Sequence, residues 1–273
     1  AGDKRFAGSI SGGCLEQALT EEAQIAMKEG TNRTLRYGTG SPYLDVRLPC
    51  GGGIDLYVDV NVDRALLQRA IALGRARRSF SLLFDPATTR SSLRVEEQNE
   101  QAKPGEFVRR FDPKLRIVLA GRGWEIVAMS QLAQTADVEL VVASQEPATL
   151  EFCRPYAHEL IQLTVPKATP KLPLDSHTAV ACLFHEHEWE GPLLLDALRS
   201  EAFYVGALGS RQTHRRRVEV LEALGATADE IARLKGPLGL FPSQDPRSLA
   251  VSALAEIVMV RTTSGGAVKR GAP

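Results

Sequence analysis

Histidine is missing from the first 157 of 273 residues, so no Ser-His-Asp arrangement can be drawn within the N-terminal half. Neither sign of charge is in surplus: Lys plus Arg and Asp plus Glu stand at 33 each. No bulk field therefore recruits nucleic acid or an anionic membrane. No apolar run approaches the roughly 20 residues that span a bilayer. The cysteines number four (Cys14, Cys50, Cys153, Cys182). They lack close pairing and any C-x-x-C, which argues against structural zinc. Unpaired thiols point to a reducing compartment, the cytoplasm by default. No signal peptide is evident, and the chain starts at Ala1 rather than Met, so its first segment is expected to be missing from this numbering.

What is present is an ordinary apolar content of 44% with 24% charge, enough for a substantial core and for two domains. The strongest chemical signal is FAGSISGGCLE, residues 6 to 16. A short strand-like run ends in Ser11, Gly12 and Gly13, and Cys14 opens an amphipathic helix. Bare glycine backbone leaves N–H groups facing whatever sits above a helix N-terminus, where an anion or a thiolate is favoured. Residues 48 to 53 read LPCGGG, placing Cys50 before Gly51, Gly52 and Gly53. Sequence alone leaves three readings of the two cysteines open: ligand-facing thiols, structural residues under tight turns, or a disulfide.

Taken in order, Leu15, Ala18, Leu19, Ala23 and Ala26 define a helix stopped by Gly30. Ile54, Leu56, Val58 and Val60 alternate with polar residues as a half-buried strand. Residues 63–77 read as helix and 80–84 as strand. Polar text then runs to residue 113, and a linker is placed within 98–113, at 106–113, separating a domain 1–105 from a domain 114–273. The second domain opens with LRIVLAG (115–121), a run typical of a strand covered on both faces. A helix and the strand VELVVAS (138–144) complete a βαβ unit. Further apolar runs at 160–165, 178–184 and 203–208, with helices at 211–224 and 246–261, argue an open, mostly parallel α/β sheet. The expected fold is therefore α/β, a C-terminal Rossmann-like sheet preceded by a smaller α+β domain truncated at its start.

Three constellations in the second domain carry chemistry. Gly121 and Gly123 follow a strand and precede a helix, as in a dinucleotide fingerprint. The third glycine is replaced by Ile126, and Ser144 stands where a ribose-binding carboxylate is expected, which argues against NAD(P). FHEHEWE (184–190) sets His185 and His187 among glutamates at a strand end, but the spacing fixes no metal triad, and a solvated polar loop is the plainer reading. Gly206, Gly209 and Ser210, with Arg211 or Arg215, could hold a phosphate at a helix start; a solvent-facing basic helix is the alternative. Cys153 and Cys182 lie in apolar text and read as buried and inert.

On these residues the chain resembles the xanthine dehydrogenase accessory family of XdhC/CoxI type. GSISGGCLE and LPCGGG look like its two signature loops, and YVGALGSR, RLKGPLGL and SLAVSALAEI look like its Rossmann half. The family's first strands would precede residue 1. The resemblance implies transient binding of molybdenum cofactor, its sulfuration with a cysteine desulfurase, and its delivery to a xanthine dehydrogenase-type molybdenum hydroxylase. The implied cofactor-binding set is Ser11, Gly12, Gly13, Cys14, Cys50, Gly51, Gly52, Gly53, Gly121, Gly123, His185, Gly209, Ser210 and Arg211. No catalytic residue and no resident metal are implied, nor any nucleic-acid or membrane partner, and a homodimer is the simplest assembly. The chain departs from the family pattern at Arg122 and Trp124, at Ser144, at Phe184 and Glu186, and at Phe241–Ser243. An NAD(P)-dependent oxidoreductase and a non-catalytic docking paralogue therefore remain as alternatives.

Overall fold

The computed structural model describes residues 10, 15–42, 51–95, 105–166, 171–184 and 187–264. The chain divides into two compact units between Pro113 and Lys114.

In the first unit, α1 (Glu16–Glu29) ends where Gly30 adopts a left-handed φ of 66°. The chain then returns as β1 (Arg33–Gly38), which pairs antiparallel with β2 (Gly53–Val58). Leu15, Ala18 and Leu19 pack on Leu35, Tyr37, Ile54 and Leu56, the inward set of both strands. Next, α2 (Arg64–Arg75) begins at Asp63, whose carboxylate accepts from the Ala65 N–H. It covers a second antiparallel sheet of β3 (Phe80–Asp85), β4 (Arg90–Val95) and β5 (Phe107–Phe111), ordered β4-β3-β5. The presence of β5 corrects the linker expected at 106–113. Phe111 stacks on Phe80 with ring centroids 5.1 Å apart, and Phe107 stacks on Tyr57 at 5.6 Å. These rings, set among charged residues, hold the segment in the sheet.

The second unit is one parallel sheet of six strands, β6 (Arg116–Gly121), β7 (Glu139–Ser144), β8 (Glu159–Gln162), β9 (Thr178–Leu183), β10 (Tyr204–Ala207) and β11 (Leu234–Lys235). Their order across the sheet is β11-β10-β9-β6-β7-β8. Read from β8 this is 3-2-1-4-5-6, the doubly wound order, with its switch point between β6 and β9. Every residue of β6 and β9 is buried, as a strand covered on both faces requires. Alternation sorts the side chains. Ile117, Leu119, Leu140 and Val142 join the core shared with α3 (Trp124–Ala133), α4 (Pro147–Cys153) and α8 (Pro246–Ser264). Val118, Val141, Val180 and Cys182 join the core shared with α5 (His187–Arg199) and α6 (Arg211–Ala223). The short α7 (Ala228–Ala232) opens with a capping box between Thr227 and Glu230. No helix among the described residues is long and apolar enough to cross a membrane.

At the amino end of the sheet Arg116 ties three segments. Its guanidinium reaches Glu139 at 2.7 Å, the Pro173 carbonyl at 2.7 Å and Asp175 at 3.4 Å. Replacing it with methionine keeps the stem but orphans these acceptors. Arg116→Met is expected to lose about 1–3 kcal/mol of stability, measured by urea unfolding of the full chain.

Candidate functional site

Ligands of an open α/β sheet lie beyond the carboxyl ends of the strands at the switch point, and three loops leave that edge of the sheet. The first follows β6. Gly121 has φ of 144°, and a Cβ on it would stand 2.5 Å from the Leu183 carbonyl, so only glycine lets β6 close against β9 here. Gly123, at φ of 93°, precedes α3. In a dinucleotide site its N–H would face phosphate; here it donates to the Thr149 hydroxyl at 3.2 Å. Thr149 is buried and in turn donates to the Glu146 carboxylate in a short contact. Ser144 is fully buried, and its Oγ accepts the Glu146 N–H at 3.1 Å. The position expected to bind ribose thus organises the entry to α4 instead.

The second loop joins β10 to α6. Ser210 caps the helix, its Oγ accepting the Thr213 N–H at 3.1 Å. Gly209 packs so closely on Thr213 that a Cβ would approach its side chain to 2.9 Å. Beneath the turn lies Arg217, 1% exposed, which donates to the Leu208 carbonyl and stands 2.9 Å from Glu190, 2% exposed. Arg217 Nε and Nη1 are buried without a partner among the described residues. Burial pushes the Cys182 thiol well above its ordinary value, with the Glu190 charge adding to that and Arg217 opposing it. That thiol is no nucleophile. The third loop follows β11. Glu256 of α8 accepts from the Gly239 N–H at 2.7 Å and the Tyr204 hydroxyl at 2.6 Å, while Ser252 exchanges hydrogen bonds with both backbone groups of Phe241. Burial, then the hydrogen bond to Glu256, raises the Tyr204 phenol far above its usual range.

In the first unit, α1 and β1 run in opposite directions, so the start of α1 lies at the end of the layer where Gly38 pairs with Gly53. Leu15 packs in one cluster with Tyr37 and Ile54, a pair one residue from that end. The Thr39 hydroxyl and N–H hold the carbonyls of Gly51 and Gly52 at 2.7 and 3.0 Å. The Gly51 Cα faces open space, whereas a Cβ on Gly53 would meet the Thr39 carbonyl at 2.7 Å. Glu16, the first helical residue, accepts the N–H groups of Ile10 at 2.9 Å and Leu15 at 3.1 Å. A carboxylate of the chain itself thus already sits at this helix N-terminus.

Among the residues expected from the sequence, Ser11, Gly12, Gly13, Cys14, Cys50 and His185 lie outside the described residues. Gly121, Gly123, Gly209, Ser210 and Arg211 stand at strand or helix ends on the carboxyl edge of the sheet, and Gly51, Gly52 and Gly53 stand in the first unit. The loop expected at 184–190 is corrected in part: α5 begins at His187, and Glu190 is buried against Arg217 rather than solvated. Cys153 and Cys182 are buried free thiols. Among the described residues, no three His, Cys, Asp or Glu side chains gather as metal ligands. Sequence reading passed over Glu16, Glu146, Thr149 and Arg217, and took Glu190 as part of a solvated loop. For Thr149 a signal existed, since Glu146-Pro147-Ala148-Thr149 has the pattern of a helix start; Arg217 reads as one more member of a basic run.

Known proteins resemble this chain. The family profile described as the XdhC Rossmann domain matches residues 117–257, and that of the XdhC and CoxI family matches residues 1–38. A protein of Escherichia coli (strain K12) named molybdenum cofactor insertion chaperone PaoD is 32% identical over 260 residues, covering 95% of this chain and 76% of the relative. A protein of Bacillus subtilis (strain 168), named as a probable subunit of xanthine dehydrogenase, is 25% identical over 160 residues, 57% of this chain and 46% of that protein. The crystal structure of a protein from Bacillus halodurans named a xanthine dehydrogenase superposes with a TM-score of 0.74 over 99% of this chain and 86% of the other. At 23% identity that likeness establishes the fold.

Two outcomes test the buried pair. Glu190→Gln leaves the Arg217 charge buried without its counter-ion and is expected to cost about 3–5 kcal/mol in urea unfolding. His214 is held below its ordinary value of 6.5 by burial first and then by Arg217, with Glu190 opposing. The unfolded chain therefore binds a proton that the folded chain resists. This contribution to stability is full above about pH 6.5 and is lost as pH falls through the folded value. His214→Gln should flatten that part of the stability profile between pH 7 and 5.

Proposed function

From membership of the XdhC and CoxI family, to which this chain belongs, we propose that it binds molybdenum cofactor and inserts it into a molybdenum hydroxylase of xanthine dehydrogenase type. The observation that carries this reading is the identity of 32% over nearly the whole chain to a relative named as a molybdenum cofactor insertion chaperone. The cofactor is cargo, held transiently and released to the recipient in the cytoplasm, and the chain performs no turnover of its own. A cysteine desulfurase provides the terminal sulfur, and the carrier acts as a homodimer.

The residues assigned to the cargo suit its chemistry. An anionic, phosphate-bearing pterin with a sulfur-bound metal is met by thiols and by backbone N–H groups. Cys14 and Cys50 supply the thiols, with Ser11, Gly12, Gly13, Gly51, Gly52 and Gly53 around them. Support comes from their described neighbours, because Leu15 and the Gly53 end of β2 share one end of a single small layer. At that end the Glu16 carboxylate gives way to the arriving anion. In the second unit Ser210, Gly209 and the exposed Arg211 offer a helix N-terminus and a cation to a phosphate. Gly121 and Gly123 shape the crevice beside them, and His185 follows β9. A nicotinamide enzyme is the weaker reading, because the Gly123 N–H that would hold pyrophosphate is engaged by Thr149.

The test is direct. Full-length chain reconstituted with molybdenum cofactor, then freed of excess, should release a fluorescent pterin on acid oxidation. Cys14→Ala and Cys50→Ala should each lower the yield at least severalfold. Retention of no pterin by the native chain would overturn the reading.

A further inference from the structure

Two large rings are left in water on neighbouring helices of the second unit. Trp124, the first residue of α3, is 64% exposed, and Phe152 of α4 is 55% exposed. Their centroids lie 5.4 Å apart with the planes inclined by 36°. Covering a side chain the size of Phe is worth roughly 1.5–3 kcal/mol, so an open pair of this kind holds unused binding energy. Trp124 directly follows Gly123 at the switch point, and Thr149 of α4 is bonded to Gly123. The pair therefore flanks the corner between the carboxyl ends of β6 and β7.

The electrostatics of that corner select the guest. The Gly123 N–H is already engaged, Glu146 lies behind Thr149, and the Glu125 carboxylate stands 3.2 Å from where a Cβ of Gly123 would be. Two carboxylates beside one arginine, Arg122, do not welcome a phosphate. A second feature points the same way. Gln145 lies between Ser144 and Glu146, and both polar atoms of its side-chain amide are buried without a partner among the described residues. An amide that can give and accept at once matches the edge of a heterocycle carrying an adjacent donor and acceptor, as glutamine does with adenine.

We propose that this corner is a subsite for a neutral, flat heteroaromatic ring, stacked on Trp124 and Phe152 and read along its edge by Gln145. The proposal rests on the reading above only for the ring's identity: a pterin if the cofactor's head lies here, a purine if a nucleotide does. Aromatic stacking of a base is worth about 1–3 kcal/mol, roughly a factor of five to more than a hundred in affinity.

Calorimetric titration of the full chain with pterin, with adenosine and with ribose 5-phosphate tests it. Saturable binding of pterin or adenosine is expected, with quenching of tryptophan emission in a Trp189→Phe background, and none by the ringless phosphate. Trp124→Ala should weaken binding at least tenfold, Phe152→Ala and Gln145→Leu severalfold, and Trp124→Phe less than threefold. Tighter binding of adenosine than of pterin supports the subsite and detaches it from the cofactor reading, whose own test is pterin retention through Cys14 and Cys50. Absence of saturable binding by either ring, equal binding of ribose 5-phosphate, or affinities unmoved by Gln145→Leu and Phe152→Ala in variants with native circular dichroism would overturn it.

Discussion

A single hydrogen bond, from the Gly123 N–H to the Thr149 hydroxyl, decides what the sheet's ligand crevice can be. The doubly wound order places a glycine turn and a helix N-terminus where phosphates bind in nucleotide enzymes. Here a side chain of α4 occupies that donor, and the Glu146 carboxylate fixes the side chain in turn. Ser144 completes the arrangement by accepting the Glu146 N–H. Ser144, which departs from the dinucleotide fingerprint, therefore forms one connected structure with Glu146, Thr149 and Gly123.

The opposite wall is stiffened by different means. Arg217 ties the Leu208 carbonyl above it to Glu190 of α5, and both side chains are out of water. Such a pair stabilises little relative to an apolar filling but is costly to break on one side. It fixes the height of the Gly209–Ser210 turn over α6. The loop after β11 is anchored comparably, since Glu256 and Ser252 of α8 engage Gly239 and Phe241. Three strand-end loops are thus held by buried polar contacts.

Much of this architecture was legible in the sequence because burial on both faces writes continuous apolar runs. β6, β7 and β9 were readable from LRIVLAG, VELVVAS and the run ending at Phe184, and the 3.6-residue period of α1 was equally plain. β5 was hidden because its aromatic residues are separated by arginines and flanked by polar text, and its place in the sheet depends on ring contacts with Phe80 and Tyr57, distant in sequence. β11, two residues long, carries no period at all. In the crevice the missing third glycine and Ser144 were visible as departures. What replaced them was not, because the partnership of Thr149 with Gly123 spans 26 positions. Glu190 read as part of a solvated acidic loop because its partner lies on another helix.

The most direct test follows the Gly123 amide itself. In an isotope-labelled full-length chain, its resonance should stay in place as inorganic pyrophosphate, which lacks the ring, is added to millimolar concentration. In Thr149→Ala, where the donor is released, the same titration should move it. A saturable shift of the Gly123 amide in the native chain at micromolar pyrophosphate would contradict the account.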